Sequence, residues 1–159
     1  MTLAIRSAAP GEEGLVLGFI RKLAAYEKLL DEVAASEEDI RQALFAANPR
    51  CHCELAFWEG APAGFALWFY NFSTFAGKAG IYLEDLYVEP DLRGKGIGKA
   101  LLKHLAKRCV AEGLPRFQWS VLNWNAPSIA VYEAMGAKPV DAWTVYRLSG
   151  PELASLARG

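Results

Sequence analysis

Three glycines at alternate positions mark one segment of the chain where the backbone can approach a ligand closely. Gly94, Gly96 and Gly98 stand at the start of an apolar helical pattern that includes Ile97 and Leu101. Because glycine has no Cβ and the first N–H groups of a helix are unpaired, such a segment suits an anion, and a diphosphate in particular. A glycine-rich turn that only caps the helix is the alternative, although one helix entry requires fewer glycines.

Two familiar nucleotide-binding motifs do not explain these glycines. The chain contains no GxxxxGK[ST] motif, and a GxGxxG motif starting at Gly94 would need glycine at position 99, where Lys99 stands. The phosphate-binding hypothesis therefore rests on the glycine spacing and on the helix that follows.

Apolar periodicity predicts the elements that lead to this segment. A short strand at 3–7 precedes a helix that runs to about Lys28. Ser36 opens a second helix as its N-cap, with Asp39 three residues later in a box-like arrangement. Three strands follow at 51–58, 63–72 and 80–88, and the short turns between them predict antiparallel neighbours.

The second half of the sequence predicts two more helices and two more strands. The helix from Ile97 ends at Gly113, a strand follows at 117–122, a helix at 126–135 and a final strand at 143–148. A strand, a glycine loop, a helix and a strand in series form a βαβ crossover, so one strand pair is parallel. We expect an α/β (α+β) fold: one domain, 1–159, with a central mixed, largely antiparallel twisted sheet and helices on both faces.

Composition and charge argue against several partner classes. The 159 residues are 53% hydrophobic, and 17 Lys+Arg against 18 Asp+Glu give a net charge of -1. No global positive field favours nucleic acid or an anionic membrane as a partner. No apolar run is long enough to span a bilayer, and the N-terminus lacks a secretory signal, so we expect a cytoplasmic location.

The cysteines raise the question of a metal site. Cys51 and Cys53 alternate around His52 and would share one face of a strand, but the other ligands of a soft metal are missing. Free cysteine is among the most buried residue types, so a buried strand is favoured and no metal is expected. The odd number of cysteines fits a reducing compartment rather than a disulfide framework.

The glycine segment resembles a known family signature. Arg93-Gly94-Lys95-Gly96-Ile97-Gly98 is similar to the R/Q-x-x-G-x-G/A signature of the GNAT acetyltransferase superfamily, whose loop amides hold the pyrophosphate of acetyl-CoA. Over roughly residues 3 to 150 the chain also resembles the diamine acetyltransferases of the spermidine/spermine and thialysine type. The motifs that carry this second resemblance are Tyr26-Glu27-Lys28, Tyr82-Leu83-Glu84-Asp85, Trp124-Asn125-Ala126-Pro127-Ser128, and Tyr132 before Gly136-Ala137.

The resemblance implies a GNAT fold and acetyl-CoA as cosubstrate. The residues that it implies for acetyl-CoA are the strand Leu86, Tyr87 and Val88, the loop Arg93, Gly94, Lys95, Gly96, Ile97, Gly98 and Lys99, and the helix start Asn125, Ala126, Pro127 and Ser128, together with Tyr132. A pantetheine arm can pair with an open strand edge as a peptide would. Related enzymes are homodimers, so the resemblance also implies a homodimer.

Acetyl transfer to an amine requires a base, an oxyanion donor and a proton for the departing thiolate. By resemblance, Glu84 is the base, the Leu86 amide is the oxyanion donor and Tyr132 is the proton donor. From the residues alone, Tyr132 would rather be a core aromatic, and Glu84 a solvent-facing or salt-bridged residue. The resemblance implies that the amine substrate meets Tyr26, Glu27, Glu84, Asp85, Gln118, Trp119 and Ser120.

One geometric difficulty accompanies this assignment. Regular strand alternation places Glu84 and Asp85 on opposite faces of the sheet. Both side chains can face one cleft only if the strand is irregular at this point. The sequence leaves that question open.

The leading hypothesis is an acetyl-CoA-dependent N-acetyltransferase that acts on a small primary amine by direct transfer. A polyamine (spermidine/spermine) or protein N-acetyltransferase, and a non-catalytic acyl-CoA-binding module, are the alternatives. Ser73-Thr74-Phe75 stands where polyamine-acetylating relatives carry an Asp-Pro-Trp-like segment, and Val121-Leu122-Asn123-Trp124-Asn125 resembles the thialysine type. We therefore expect thialysine, a lysine-like amino acid or a short diamine to be preferred over spermine.

Overall fold

A computed structural model describes residues 2–159, which divide into two units: one up to Ser120, and one formed by Val121–Gly159. The first unit contains the sheet, with strands β1 (Leu3–Ser7), β2 (His52–Trp58), β3 (Ala61–Ser73), β4 (Lys78–Val88) and β5 (Phe117–Trp119). Its helices are α1 (Glu13–Tyr26), α2 (Glu37–Phe45) and α3 (Ile97–Glu112), with short 3₁₀ turns at Leu30–Glu32 and Pro90–Leu92. The second unit contains α4 (Ala126–Ala134) and α5 (Gly150–Arg158).

The five strands form one sheet in the order β1-β2-β3-β4-β5. β1 to β4 are antiparallel neighbours, whereas β4 and β5 are parallel and are joined through α3. This topology confirms the predicted mixed, largely antiparallel sheet and its single βαβ crossover. The middle parts of β2 and β3 are continuously buried rather than alternating, because both strands are covered on two faces.

Helices α1 and α2 cover one face of the sheet. Phe19 of α1 stacks on Phe65 of β3 with ring centroids 5.5 Å apart, and Leu44 of α2 and Leu55 of β2 belong to the same buried cluster. Helix α3 covers the other face, where Leu105 is fully buried. Among residues 2–159, none of the helices combines the length and apolar character that crossing a bilayer requires.

The predicted start of α2 and the predicted end of α3 are confirmed, and each depends on a few neighbouring residues. The Ser36 hydroxyl accepts a hydrogen bond from the Asp39 amide at 3.1 Å, and the Asp39 carboxylate accepts one from the Ser36 amide at 2.9 Å. This capping box satisfies two N–H groups that the first turn of α2 leaves unpaired. Gly113 ends α3 in the left-handed conformation, with φ of 69°.

Two predicted strands differ from the structure. The strand predicted at 117–122 ends at Trp119, and the strand predicted at 143–148 is irregular backbone. Trp143, Val145 and Tyr146 have exposed fractions of 77%, 89% and 93%. The apolar pattern alone cannot form a strand, because a strand also requires a neighbour to satisfy its backbone groups.

We predict that Gly64 is required for the close approach of β3 and β4. A Cβ at this position would overlap the carbonyl oxygen of Tyr87, which is backbone and cannot turn aside. Gly64→Ala should lower the free energy of unfolding by about 1–3 kcal/mol. Gly18→Ala, in open space in α1, is the control and should stabilise by up to about 1 kcal/mol. Urea unfolding measures both, and equal midpoints would contradict the prediction.

Candidate active site

A β-bulge in β4 settles how the two adjacent acidic residues are arranged. Leu67 of β3 pairs with Asp85, but the next residue, Trp68, pairs with Leu83, so Glu84 has no opposite residue. The extra residue reverses the alternation of β4 beyond it. Asp85 therefore lies on the face covered by α1 and α2, and Glu84 is exposed at the bulge.

The bulge also marks where β4 and β5 separate. The parallel pairing of β5 extends only from Ile81 to Leu83, opposite Phe117–Trp119. Beyond Leu83, β4 continues to Val88 while paired with β3 alone. Within the described sheet, the other edge of this part of β4 has no strand partner. An extended amide chain can hydrogen-bond to such an edge.

Three carboxylates lie within electrostatic reach of one another beside the bulge. Burial, together with the charges of Glu84 and Glu27, raises the pKa of Asp85 to about 7. Burial, and then Glu84, also raises the pKa of Glu27 at the end of α1. Burial, with Asp85 and Glu84 nearby, raises the pKa of the Cys51 thiol. The site disfavours negative charge, so a cationic ligand would be stabilised there.

The glycine loop follows the open edge of β4. Gly94 and Gly96 have φ of 82° and 81°, and no atom lies within 4 Å of the place where a Cβ would stand. Gly96 is the N-cap of α3, so the unpaired N–H groups of the first helical turn begin here. The arrangement offers backbone donors and open space to an anion.

Arg93 connects this loop to the end of α1. Its Nε donates a hydrogen bond to the carbonyl oxygen of Val88 at 3.2 Å. Its guanidinium lies 5.0 Å from the ring centroid of Tyr26 and 5.7 Å from that of Tyr87. Arg93 thus contacts both a predicted substrate residue and a predicted cofactor residue.

In the second unit, Asn125 caps α4 by accepting a hydrogen bond from the Ser128 amide at 3.4 Å. Asn125 is buried, and Tyr132 is half-buried on α4. Pro127 lies in the first turn of α4, where the backbone N–H that proline lacks would have no helical partner. Ala126 begins the helix, as predicted.

The other residues predicted for the site differ in burial and in the face of the sheet on which they lie. The Ile97 side chain is buried in the core, so only its backbone can serve a ligand, whereas Lys95 and Lys99 are exposed. Trp119 packs edge-on against Phe117, with centroids 4.9 Å apart, which places it on the face opposite Gln118. Ser120 lies beside Tyr82, on the Gln118 face. The structure thus brings Gln118 and Ser120 together but not Trp119.

Two polar residues that sequence reasoning missed extend the acidic face. The Tyr82 hydroxyl is 2.6 Å from Ser120 Oγ, and Asn71 Nδ2 donates to Gln118 Oε1 at 3.2 Å. The bulge places Tyr82 on the same face as Asp85, although regular alternation would have paired Tyr82 with Glu84. Only the register against β3 carries that information.

Cys53 is buried in the core, where burial strongly raises the pKa of its thiol, and Cys51 is half-buried. No group of three or more metal-ligating side chains occurs in the described part of the chain. These observations agree with a buried strand for this segment.

Comparisons with known proteins agree with this geometry. Residues 20–137 match the model of the Acetyltransferase (GNAT) family. A thialysine N-epsilon-acetyltransferase of Sus scrofa is 37% identical, over 98% of both chains. A spermidine/spermine N(1)-acetyltransferase-like protein of Homo sapiens is 30% identical over 96% of this chain and 23% of its own length. An integron cassette protein of V. cholerae has a similar structure, with a TM-score of 0.82 at 29% identity over 100% of this chain and 99% of that one.

We predict that the Asp85 carboxylate destabilises the free protein as pH rises. Its pKa is about 7 in the folded chain against an ordinary value of 3.8, so its cost is absent below about pH 4 and accumulates up to about pH 7. Asp85→Asn should raise the free energy of unfolding at pH 8 by on the order of a few kcal/mol, with a gain that shrinks toward pH 4.

Urea unfolding at several pH values measures this effect. Asp141→Asn is the matched control, because it removes the same charge from an exposed position. An Asp85→Asn gain that is equal at all pH values would show that Asp85 is not the group that titrates.

Proposed function

The chain belongs to the GNAT acetyltransferase family, and from this premise we propose that it transfers the acetyl group of acetyl-CoA to the primary amine of a lysine-like amino acid or a short diamine. The family and its curated relatives make the protein an acyltransferase that uses acetyl-CoA on a small amine. The observation that carries the finer proposal is the cluster of Glu27, Glu84 and Asp85 beside the open edge of β4.

A cationic amine is the ligand that this cluster favours. Two of its carboxyl groups have pKa values raised by burial and by their acidic neighbours. An ammonium group would stabilise their ionised forms, which the free protein disfavours. Tyr26, Gln118 and Ser120 are proposed to add contacts to the amine, as the family resemblance implies.

Acetyl-CoA would be held by backbone more than by side chains. We assign the edge formed by Leu86, Tyr87 and Val88 to the pantetheine arm, since within the sheet that edge has no strand partner. The amides from Gly94 to Lys99 are assigned to the pyrophosphate. By resemblance, Asn125, Ala126, Pro127 and Ser128 flank the cofactor.

Three groups of the chain would serve the reaction. The amine nitrogen attacks the thioester carbon and the carbon–sulfur bond breaks. Glu84 takes a proton from the amine, directly or through water, and the Leu86 amide donates to the carbonyl oxygen as it becomes an oxyanion. Tyr132 gives a proton to the departing thiolate, which is the role that the family resemblance implies.

The substrate proposal rests on the relatives and on one missing acidic contact. A curated relative similar over nearly the full chain acts, by its name, on thialysine. The segment Ser73-Thr74-Phe75 at the end of β3 offers no carboxylate to a second, distant cationic nitrogen. A shorter lysine-like amine does not require that contact.

We further propose that the chain works as one cytoplasmic domain and as a homodimer. The family match crosses from the first unit into the second, which supports one catalytic domain. All three cysteines are free, as a reducing compartment favours. The exposed apolar side chains of Trp143, Val145 and Tyr146 supply a surface of the kind that oligomers bury.

A comparison of amines tests the proposed activity. We expect kcat/KM, measured by CoA release, to be higher for thialysine, lysine and a short diamine than for spermine. A clear lead for spermine would contradict the substrate proposal and leave the reaction type intact. Turnover with lysine-containing peptides alone would indicate a protein acetyltransferase, and tight acetyl-CoA binding without turnover a binding module.

We predict that Tyr132→Phe lowers kcat by about 10²–10⁴-fold, the usual contribution of a positioned acid or base. The variant keeps the ring and removes the hydroxyl, so acetyl-CoA affinity and thermal stability should change little. Tyr146→Phe is the matched control, because it removes a hydroxyl from a side chain that is 93% exposed. Unchanged turnover in Tyr132→Phe would assign Tyr132 to packing.

A further inference from the structure

We propose that a cavity separate from the candidate active site, at the end of the sheet where β1 stops, binds a small zwitterionic α-amino acid. The cavity has a volume of about 140 Å³. Its walls come from the end of β1, the last turn of α2, the first residues of β2, and from β3 and α3. It contains none of the residues assigned above to acetyl-CoA or to the amine.

Glu54 supplies an anionic wall of this cavity. The residue is 2% exposed, and its Oε2 accepts a hydrogen bond from Trp68 Nε1 at 3.1 Å. Its Oε1 lies 3.0 Å from His104 Nε2 and accepts a hydrogen bond from Ser7 Oγ at 3.4 Å. A carboxylate has about four acceptor sites, so one remains on Oε2.

Among residues 2–159, the Glu54 carboxylate has no ion pair with lysine or arginine, and the Arg108 charge attracts it only from beyond ion-pair distance. Its ionisable partner is His104. A buried carboxylate that lacks a cationic partner costs free energy. An ammonium group at the remaining acceptor site would remove that cost.

Arg108 supplies the opposite charge in the same cavity. Its guanidinium lies 5.2 Å from the Trp68 ring centroid, and Nη1 donates to Glu112 Oε2 at 3.1 Å. Both members of this ion pair are more than one-third exposed, so the pair is weak. Tyr70 also hydrogen-bonds to Arg108, and the guanidinium has five N–H donors, so others remain for a ligand. A carboxylate is the group that a guanidinium recognises best.

His52 stands in the same wall and has no hydrogen-bond partner among residues 2–159. Its ring packs 4.6 Å from Trp68 and 5.7 Å from Tyr70, measured between centroids. Burial and the nearby Arg108 charge lower its pKa, so it is neutral at pH 7. A neutral imidazole has one donor and one acceptor, and it can therefore serve either end of a zwitterion.

The two wall charges and the volume together select the ligand. The positive charge of Arg108 would repel a simple amine, and the buried negative charge of Glu54 would repel a simple carboxylate. A molecule with both groups satisfies both walls. An engineered cavity of about 150 Å³ holds benzene, which is about as large as alanine, so glycine and alanine fit within this volume.

Calorimetric titration of the full chain with alanine tests the proposal. Alanine and glycine should bind, and ethylamine and propionate should each bind at least tenfold more weakly. The affinity for alanine should be unchanged with saturating CoA, because the cavity shares no residue with the acetyl-CoA site. This experiment does not require acetyl transfer, so its failure would leave the proposed function untouched.

Variants at the two walls complete the test. Arg108→Gln and Glu54→Gln should each weaken alanine binding at least tenfold, whereas Lys107→Gln, an exposed neighbour on α3, should not. Glu54 is buried, so if Glu54→Gln fails to fold, Arg108→Gln decides. Absence of alanine binding, equal affinity for ethylamine, or full affinity in Arg108→Gln would overturn the proposal.

Discussion

The extra residue in β4 at Glu84 is the constraint on which the candidate site depends. Without it, the pairing of β3 and β4 would continue in register and Asp85 would face α3. The bulge turns Asp85 toward the end of α1, where Glu27 lies, and it coincides with the end of the β4–β5 pairing. One local irregularity thus creates the acidic face at the point where the edge of β4 that leads to the glycine loop becomes free.

The same feature makes the free protein less stable than its packing allows. Burial disfavours the ionised form of Asp85, and Glu84 and Glu27 add to that effect. A folded chain tolerates such a site because the sheet and α3 hold it in place, with Leu101 and Leu105 fully buried on the opposite face. A bound ammonium group would reverse that balance, because it would stabilise the ionised carboxylates.

Sequence reasoning succeeded where the signal is local and failed where it depends on a neighbour. The Ser36–Asp39 capping box and the Gly113 helix end are each determined within a few residues, and both are confirmed. The bulge at Glu84 depends on the register of β4 against β3. The face of the sheet on which Trp119 lies depends on the register of β5 against β4. The irregular 143–148 segment has an apolar pattern but no strand partner in the described sheet.

A buried carboxylate on β2 and a half-buried one on β4 show how the same group takes different roles. Glu54 accepts hydrogen bonds from Trp68 and Ser7 and contacts His104, so its charge has neutral donors around it. The Asp85 carboxylate accepts no hydrogen bond from the described residues, and the charges that act on it are acidic. Hydrogen-bond donors stabilise an ionised carboxylate in place, whereas acidic neighbours leave it dependent on an incoming cation. The difference lies in the surroundings: within the described chain, the fold gives Glu54 hydrogen-bond donors without a lysine or arginine ion pair, and it gives Asp85 acidic neighbours.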